Sequence, residues 1–448
     1  MLDDSSNTFP TCEDGASSLA AFDIHKTIRN GVHNGPLHTL LAHASASEPD
    51  FGELFPLMAS FKRDESLRKG QPFQDVFLLC RLHATTSAVP ALDALKAWGL
   101  DPKRVVYFIK DYPYAHGEMV QTALRSRGAT VLPDDELSVE RLDSFAEVIR
   151  RDDFRVITIE DGAEIVHLLH QNKYLRSRWV GGAEQTTRGT WRIDTLADEG
   201  KLKKPVVALS HSKIKSEFEG PRIPASGLRA CQNLFPHVCV GEWKVAVLGT
   251  GTIGRHTISA FEEFGCEVSA YDPDPNMRLR VRHFRAGVLR RSAEEAVTNA
   301  HLILGTAGKL TVTSDVISRA RGHVRIGSLS SERVEVDVRW LENYAERKEP
   351  LLLHPKGFPN NVVIGTRYIL PPHGSRMVDL IFDGMPLNFS EYGVLCEKYT
   401  DLIVGWLMLC GLEIARGTYS HTPGLLKDAA DQVFNKHQLA EQFERIWN

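Results

Sequence analysis

The sequence predicts an α/β fold on three observations. Short apolar runs of the fully buried strand type recur along the chain, helical stretches separate them, and a glycine-rich turn opens a second block of the same alternation. Asp75-Val-Phe-Leu-Leu-Cys80 is the first such run, followed by a helix near Ala88–Trp98. Arg104–Ile109, a helix over Met119–Arg127, Ala129–Leu132 and Arg155–Ile159 continue the pattern. The second block begins with the strand Lys244–Gly249. Ile253, Ile258, Phe261 and Phe264 then fall at helical spacing, and Glu267–Asp272, Leu302–Leu304 and His323–Ile326 read as further strands. Pro355–Ser375 reads as loops, and Leu402–Leu412 as a buried helix, since 11 apolar residues are too few to cross a bilayer. Residues 1–50, rich in Ser, Asp, His and Gly, are expected to form loops and short helices.

Composition narrows the function. Of 448 residues, 53 are Lys or Arg and 57 Asp or Glu, a net charge of −4, which argues against a nucleic-acid or anionic-membrane partner. The seven cysteines (Cys12, Cys80, Cys231, Cys239, Cys266, Cys396 and Cys410) are scattered, with no C-x-x-C pair. They read as reduced thiols, with no metal site expected. The opening Met1-Leu-Asp-Asp-Ser-Ser is acidic where a secretory signal is basic and then apolar, so a cytoplasmic protein is expected.

The glycine turn carries chemistry. Gly249-Thr-Gly251-Thr252-Ile253-Gly254 follows a strand and opens a helix, and Asp272 ends the next strand, 21 residues after Gly251. Gly249 permits the tight turn, Gly251 the close approach of backbone to a pyrophosphate, and Gly254 close helix–strand packing. The helix start supplies free N–H groups. Asp272 would accept from the ribose hydroxyls and repel a 2′-phosphate, so the pattern predicts a Rossmann domain holding NAD.

Upstream lie four polar clusters: Leu82-His83-Ala-Thr85-Thr-Ser87, Ile159-Glu160-Asp161-Gly162-Ala-Glu164, Ala183-Glu184-Gln185-Thr186-Thr187-Arg188-Gly189, and Ser212-Lys213-Ile-Lys215-Ser216-Glu217-Phe218-Glu219. Each alone has an ordinary reading: a satisfied histidine at a strand end, a turn aspartate, a threonine cap, a solvated lysine. Together and in order they resemble the S-adenosylhomocysteine hydrolase family, with its L-H-M-T-x-E-T, D-D-G-G-D, E-E-T-T-T-G and T-K-S-K-F-D-N motifs before the Rossmann glycines. Ile326-Gly327-Ser328, Val334–Leu341 and Asp383-Gly-Met-Pro-Leu-Asn-Phe389 extend the resemblance, which covers about residues 75–430.

That resemblance implies a Rossmann domain inserted in a discontinuous α/β substrate domain. The expected boundaries are 1–220 for the first part of the substrate domain, 221–388 for the NAD domain and 389–448 for the C-terminal return. It also implies transient oxidation of a nucleoside 3′-hydroxyl, removal of the C4′ hydrogen and expulsion of the C5′ substituent. Lys215 would be the 3′ base, with Glu219 beside it, and Lys213 stays open as the alternative. Asp161 would take the C4′ proton and His83 would serve the leaving group at C5′. Thr85, Ser87, Glu184 and Gln185 would contact substrate. Thr186, Thr187, Thr306 and Asn388 would join the glycine turn in holding NAD. A homo-oligomer, dimer or tetramer, is implied as well.

Departures from the family are as informative. Gln185 replaces its second Glu, Arg188 its third Thr, Ser87 its adenine-reading carboxylate, Gly220 an Asn and Ser328 the I-G-H histidine. Ser390–Leu395 has no G-H-P-S, and the ending lacks the family's arm. The expected function is therefore an NAD-dependent lyase on a nucleoside, most simply dehydrating a hydroxymethyl group. The alternatives are a true hydrolase releasing homocysteine and a non-catalytic NAD-binding relative.

Overall fold

The computed structural model describes residues 50–447 except 113, 115, 331, 359–360, 373–374 and 391, with only the backbone at 284. The expected loops of 1–49, Cys12 and the start of the substrate domain lie outside the described residues. The described part is built on two seven-stranded sheets.

The first sheet contains β1 (Val76–Leu82), β2 (Val105–Ile109), β3 (Thr130–Pro133), β4 (Arg155–Glu160), β5 (Trp179–Glu184) and β6 (Pro205–Ala208). Every residue of β1, β2 and β6 is buried, the signature of parallel strands covered on both faces. The second sheet contains β7 (Lys244–Leu248), β8 (Glu267–Tyr271), β9 (Leu302–Gly305), β10 (His323–Ser328), β11 (Arg347–Leu352), β12 (Val363–Leu370) and β13 (Arg376–Ile381). Its order is β11-β12-β13-β10-β9-β7-β8, parallel except for the β11-β12-β13 meander. A last short strand, β14 (Gly424–Leu426), returns to the first sheet, whose order is β14-β6-β5-β4-β1-β2-β3.

Three features correct the sequence reading. The segment Pro355–Ser375, expected as loops, contains β12, because Val363-Ile-Gly-Thr-Arg-Tyr-Ile-Leu370 pairs on both sides. The flanking prolines and glycines masked that run. β5 was not read as a strand because Gly181 and Gly182 interrupt its apolar pattern. A Cβ at Gly182 would lie 2.2 Å from Thr158 Oγ1, so tight packing against β4 demands glycine there. β6 and β14 are four and three residues long, too short for periodicity to show.

The apolar run Leu402–Leu412 lies inside a 19-residue helix, Glu397–Ala415, buried over most of its length against the first sheet. Near its end Glu413 is fully buried. It accepts from Lys436 Nζ (2.5 Å), Thr418 Oγ1 (2.6 Å), His437 Nε2 (3.1 Å) and Arg416 Nη1 (3.3 Å), tying the C-terminal segment to the core. Burial opposes ionisation, but these partners hold its carboxyl well below the usual range. The stability it contributes is therefore present above the unfolded glutamate pKa of about 4.3 and is lost as pH falls below it. Glu413→Ala should destabilise the protein by about 3 kcal/mol at neutral pH, measured by denaturant unfolding, with the difference shrinking on acidification.

Candidate active site

The strand order reverses between β1 and β4 in the first sheet and, within the parallel part of the second, between β7 and β9. Crevices open at the carboxyl ends of strands at such switch points. His83 follows β1 and Asp161 follows β4, so the first reversal brings them together from sequence positions 78 apart.

Asp161 is 2% exposed. Its carboxylate accepts from Lys110 Nζ in a short contact and from His83 Nε2 at 3.1 Å. Its own N–H donates to the Arg81 carbonyl (2.8 Å), and its carbonyl accepts from Arg81 Nη1 (2.9 Å). Burial disfavours the charge, but Lys110 and His83 outweigh it and hold the carboxyl well below the ordinary range. Asp161 is thus ionised and fixed. His83 stacks on Phe389 (centroids 3.9 Å apart) with Tyr112 and Tyr114 around it. Its imidazole pKa is lowered by burial, assisted by the Lys110 and Arg81 charges and opposed by Asp161.

Around this pair lies a charge network. Arg81 makes a bidentate pair with Asp134 (2.7 and 2.8 Å). Glu332, on the loop after β10, pairs closely with Arg188 and lies 3.6 Å from Arg81, 3.7 Å from Arg192 and 3.9 Å from Lys110. One carboxylate from the second sheet therefore reaches four cations of the first. Lys110, Tyr112, Tyr114, Glu332 and Phe389 were not singled out from the sequence.

Glu184, expected at the substrate, is turned elsewhere. One carboxylate oxygen accepts from Gly162 N (2.9 Å), Thr186 N (2.7 Å) and Thr186 Oγ1 (2.7 Å), and the other from Ala163 N (2.9 Å). It shapes the turn that carries Asp161. Burial and the Asp161 charge push its pKa up to about 7. The Thr186 hydroxyl caps the helix Thr187–Asp198 by accepting from Gly189 N (3.0 Å), while Thr187 is exposed. Gln185 is half-buried beside them. Thr85 and Ser87 hydrogen-bond each other (2.9 Å) ahead of the helix Ala88–Ala97.

Lys215 sits in the helix Lys213–Glu219 and is buried, whereas Lys213 is exposed. Its ammonium pairs with Glu219 (2.5 Å). The helix ends on the cofactor crevice: Ser216 Oγ is 3.4 Å from Thr252 Oγ1, and a Cβ at Gly220 would lie 3.1 Å from Thr252 Cγ2.

The crevice fits a dinucleotide. Gly249 has φ +102°, and a Cβ on Gly254 would lie 2.0 Å from the Gly249 carbonyl oxygen. Space beside Gly251 is open, and no side chain caps the helix Thr252–Glu263 that begins there, in whose first turn Ile253 is half-buried. Asp272 accepts from Thr250 N (2.6 Å) and Asp274 N (2.9 Å), which orients its carboxylate and leaves lone pairs for ribose hydroxyls. Asn388 is buried with its Oδ1 unpartnered, an acceptor awaiting a donor. Thr306, expected at the cofactor, instead donates to the Gly249 (2.9 Å) and Leu248 (3.1 Å) carbonyls and fixes the turn.

These features define an NAD-binding α/β protein with a buried acid–base pair at the neighbouring sheet edge. Comparison agrees: residues 228–321 match the NAD-binding domain of the D-isomer-specific 2-hydroxyacid dehydrogenases. Relatives over the longer chain include adenosylhomocysteinases of Aeropyrum pernix (25% identical, covering 74% of this chain and 80% of that one) and Thermotoga maritima (28%, 65% and 71%). The S-inosyl-L-homocysteine hydrolase of Methanosarcina mazei is 25% identical over 54% of this chain, and the match spans 59% of its length. Among solved structures, a D-3-phosphoglycerate dehydrogenase-like oxidoreductase of Ralstonia solanacearum covers 76% of this chain and 95% of its own, with TM-score 0.43 and 13% identity. The chain is similar, as a divergent relative, to adenosylhomocysteinases and S-inosyl-L-homocysteine hydrolases, and NAD is its cofactor.

The Asp272 carboxylate at the end of β8 would repel a 2′-phosphate, so NAD should bind much more tightly than NADP, and Asp272→Ala should narrow that ratio in calorimetric titrations. Gly254→Ala should abolish NAD binding with the first sheet still folded, since its methyl group has no space.

Proposed function

We propose that the chain is an NAD-dependent lyase that eliminates the C5′ hydroxyl of a nucleoside, a net dehydration. The observation carrying this reading is Asp161: a carboxylate held ionised, buried and in contact with His83. Bound NAD supplies a reversible hydride acceptor for the substrate 3′-carbon. Lys215, the buried lysine, passes its proton to the paired Glu219 and, as the neutral amine, takes the 3′-hydroxyl proton. The ketone so formed acidifies the C4′ hydrogen. Asp161 accepts that proton, the C4′=C5′ bond forms and the C5′–O bond breaks. The leaving oxygen departs as water, and return of the hydride to the 3′-carbon and of the proton to its oxygen restores the 3′-hydroxyl, so the net change is the loss of one water. The His83 Nε2 proton goes to the leaving oxygen and is replaced by the proton Asp161 took from C4′, so the imidazole ends neutral and Asp161 ionised.

Water addition, the step that makes a hydrolase, lacks support in the side chains present. Ser328 stands where the family has a histidine, and its hydroxyl bonds Ser330 Oγ (3.0 Å). We further propose that the first sheet with residues 389–448 forms the substrate domain and 221–388 the inserted NAD domain.

With a competent nucleoside, bound NAD should show the near-ultraviolet absorbance of its reduced form, and Lys215→Ala should abolish that signal. Asp161→Asn should retain it but stop exchange of the C4′ hydrogen with solvent deuterium. Mass spectrometry should find a product lighter by one water from a hydroxymethyl nucleoside. Release of homocysteine from S-adenosylhomocysteine, with no dehydrated product from any nucleoside tested, would establish the hydrolase instead.

A further inference from the structure

We propose that Lys110 and Tyr114 are positioning residues that hold the His83–Asp161 pair in one proton arrangement, a neutral imidazole with its proton on Nε2 beside an ionised carboxylate. The Tyr114 hydroxyl fixes one end of this arrangement. It lies 2.6 Å from His83 Nδ1, while Nε2 faces the Asp161 carboxylate, which can only accept. The phenol proton is therefore directed to Nδ1, which must be the acceptor. Burial raises the Tyr114 pKa well above the ordinary value, so that proton stays on the phenol. The remaining ring nitrogen, Nε2, then carries the imidazole proton and donates it to Asp161 (3.1 Å).

Lys110 fixes the other end. Its ammonium is 1% exposed, pairs with the second Asp161 oxygen and lies 5.7 Å from the Tyr112 ring centroid. An imidazolium at His83 would place a third cation beside Lys110 and Arg81 in a buried site, so Lys110 keeps the ring neutral while keeping the carboxylate charged. The charged and titratable groups facing His83 are Asp161, Lys110, Arg81, Tyr112 and Tyr114. Tyr114 also forms an isolated antiparallel bridge with Ser390, two residues beyond Asn388. The ring's proton arrangement is thereby coupled to the segment that borders the cofactor.

This inference rests on Asp161 as the C4′ base, yet its test needs no substrate, so the two can fail separately. The full chain labelled with ¹⁵N-histidine would be titrated by NMR between about pH 5 and pH 8, and His83→Gln identifies the signal among the 18 histidines. Wild-type His83 should be neutral with its proton on Nε2 at neutral pH. Tyr114→Phe, which keeps the ring and its packing, should let His83 take a second proton at a pH higher by about one unit. Lys110→Met should shift it in the same direction, and Lys110→Arg should restore the wild-type titration. A proton on Nδ1, a charged ring at neutral pH in the wild type, or an unchanged titration in Tyr114→Phe would overturn the proposal.

Discussion

The Asp161 carboxylate is the constraint around which the rest is arranged. A charge at 2% exposure is tolerated only when its partners are close and themselves fixed. The parallel sheet meets that condition by register. β2, β1 and β4 are neighbours, so the residues just past their carboxyl ends, Lys110, His83 and Asp161, arrive at one place. Glu184, at the end of β5, then fastens the turn that aims Asp161. None of these groups could be moved to an adjacent position without leaving a buried charge uncompensated.

The same electrostatics reach the second sheet. Glu332 sets its carboxylate among Arg81, Lys110, Arg188 and Arg192, and Phe389 stacks on His83. Residues that follow strands of the second sheet are consequently in direct contact with the residues that hold His83 and Asp161. Arg188 has its place here: it pairs with Glu332 and donates to the Gly308 carbonyl (3.3 Å).

How much of this was legible follows from the range of the interactions. The glycine turn, its helix and Asp272 lie within one short stretch, and each residue type answers a local demand of backbone geometry. β1, β2 and β4 announce themselves because strands buried on both faces are mostly apolar. The β11-β12-β13 edge does not: its burial is mixed, and its pairing depends on partners that no window of sequence contains. Lys110 looked like any lysine at a strand end, since its partner lies 51 residues away and only the strand order unites them. Glu184 and Thr306 were legible as polar residues of the right motif, but the direction in which each side chain turns is a three-dimensional fact.

The late return of the chain bears on how the protein is made. β14 pairs with β6 across the whole intervening second sheet, and Ser212 bonds Asp431, 219 positions further on. During synthesis the first sheet emerges first yet must wait for its edge strand and its long covering helix. The second sheet, continuous in sequence, can close as soon as it leaves the ribosome. Contacts of such separation are slow to form because a long loop must be closed before they contribute. Until the C-terminus docks, the apolar strands beneath Glu397–Ala415 are open to solvent, and that nascent interval is when this chain most needs chaperone protection.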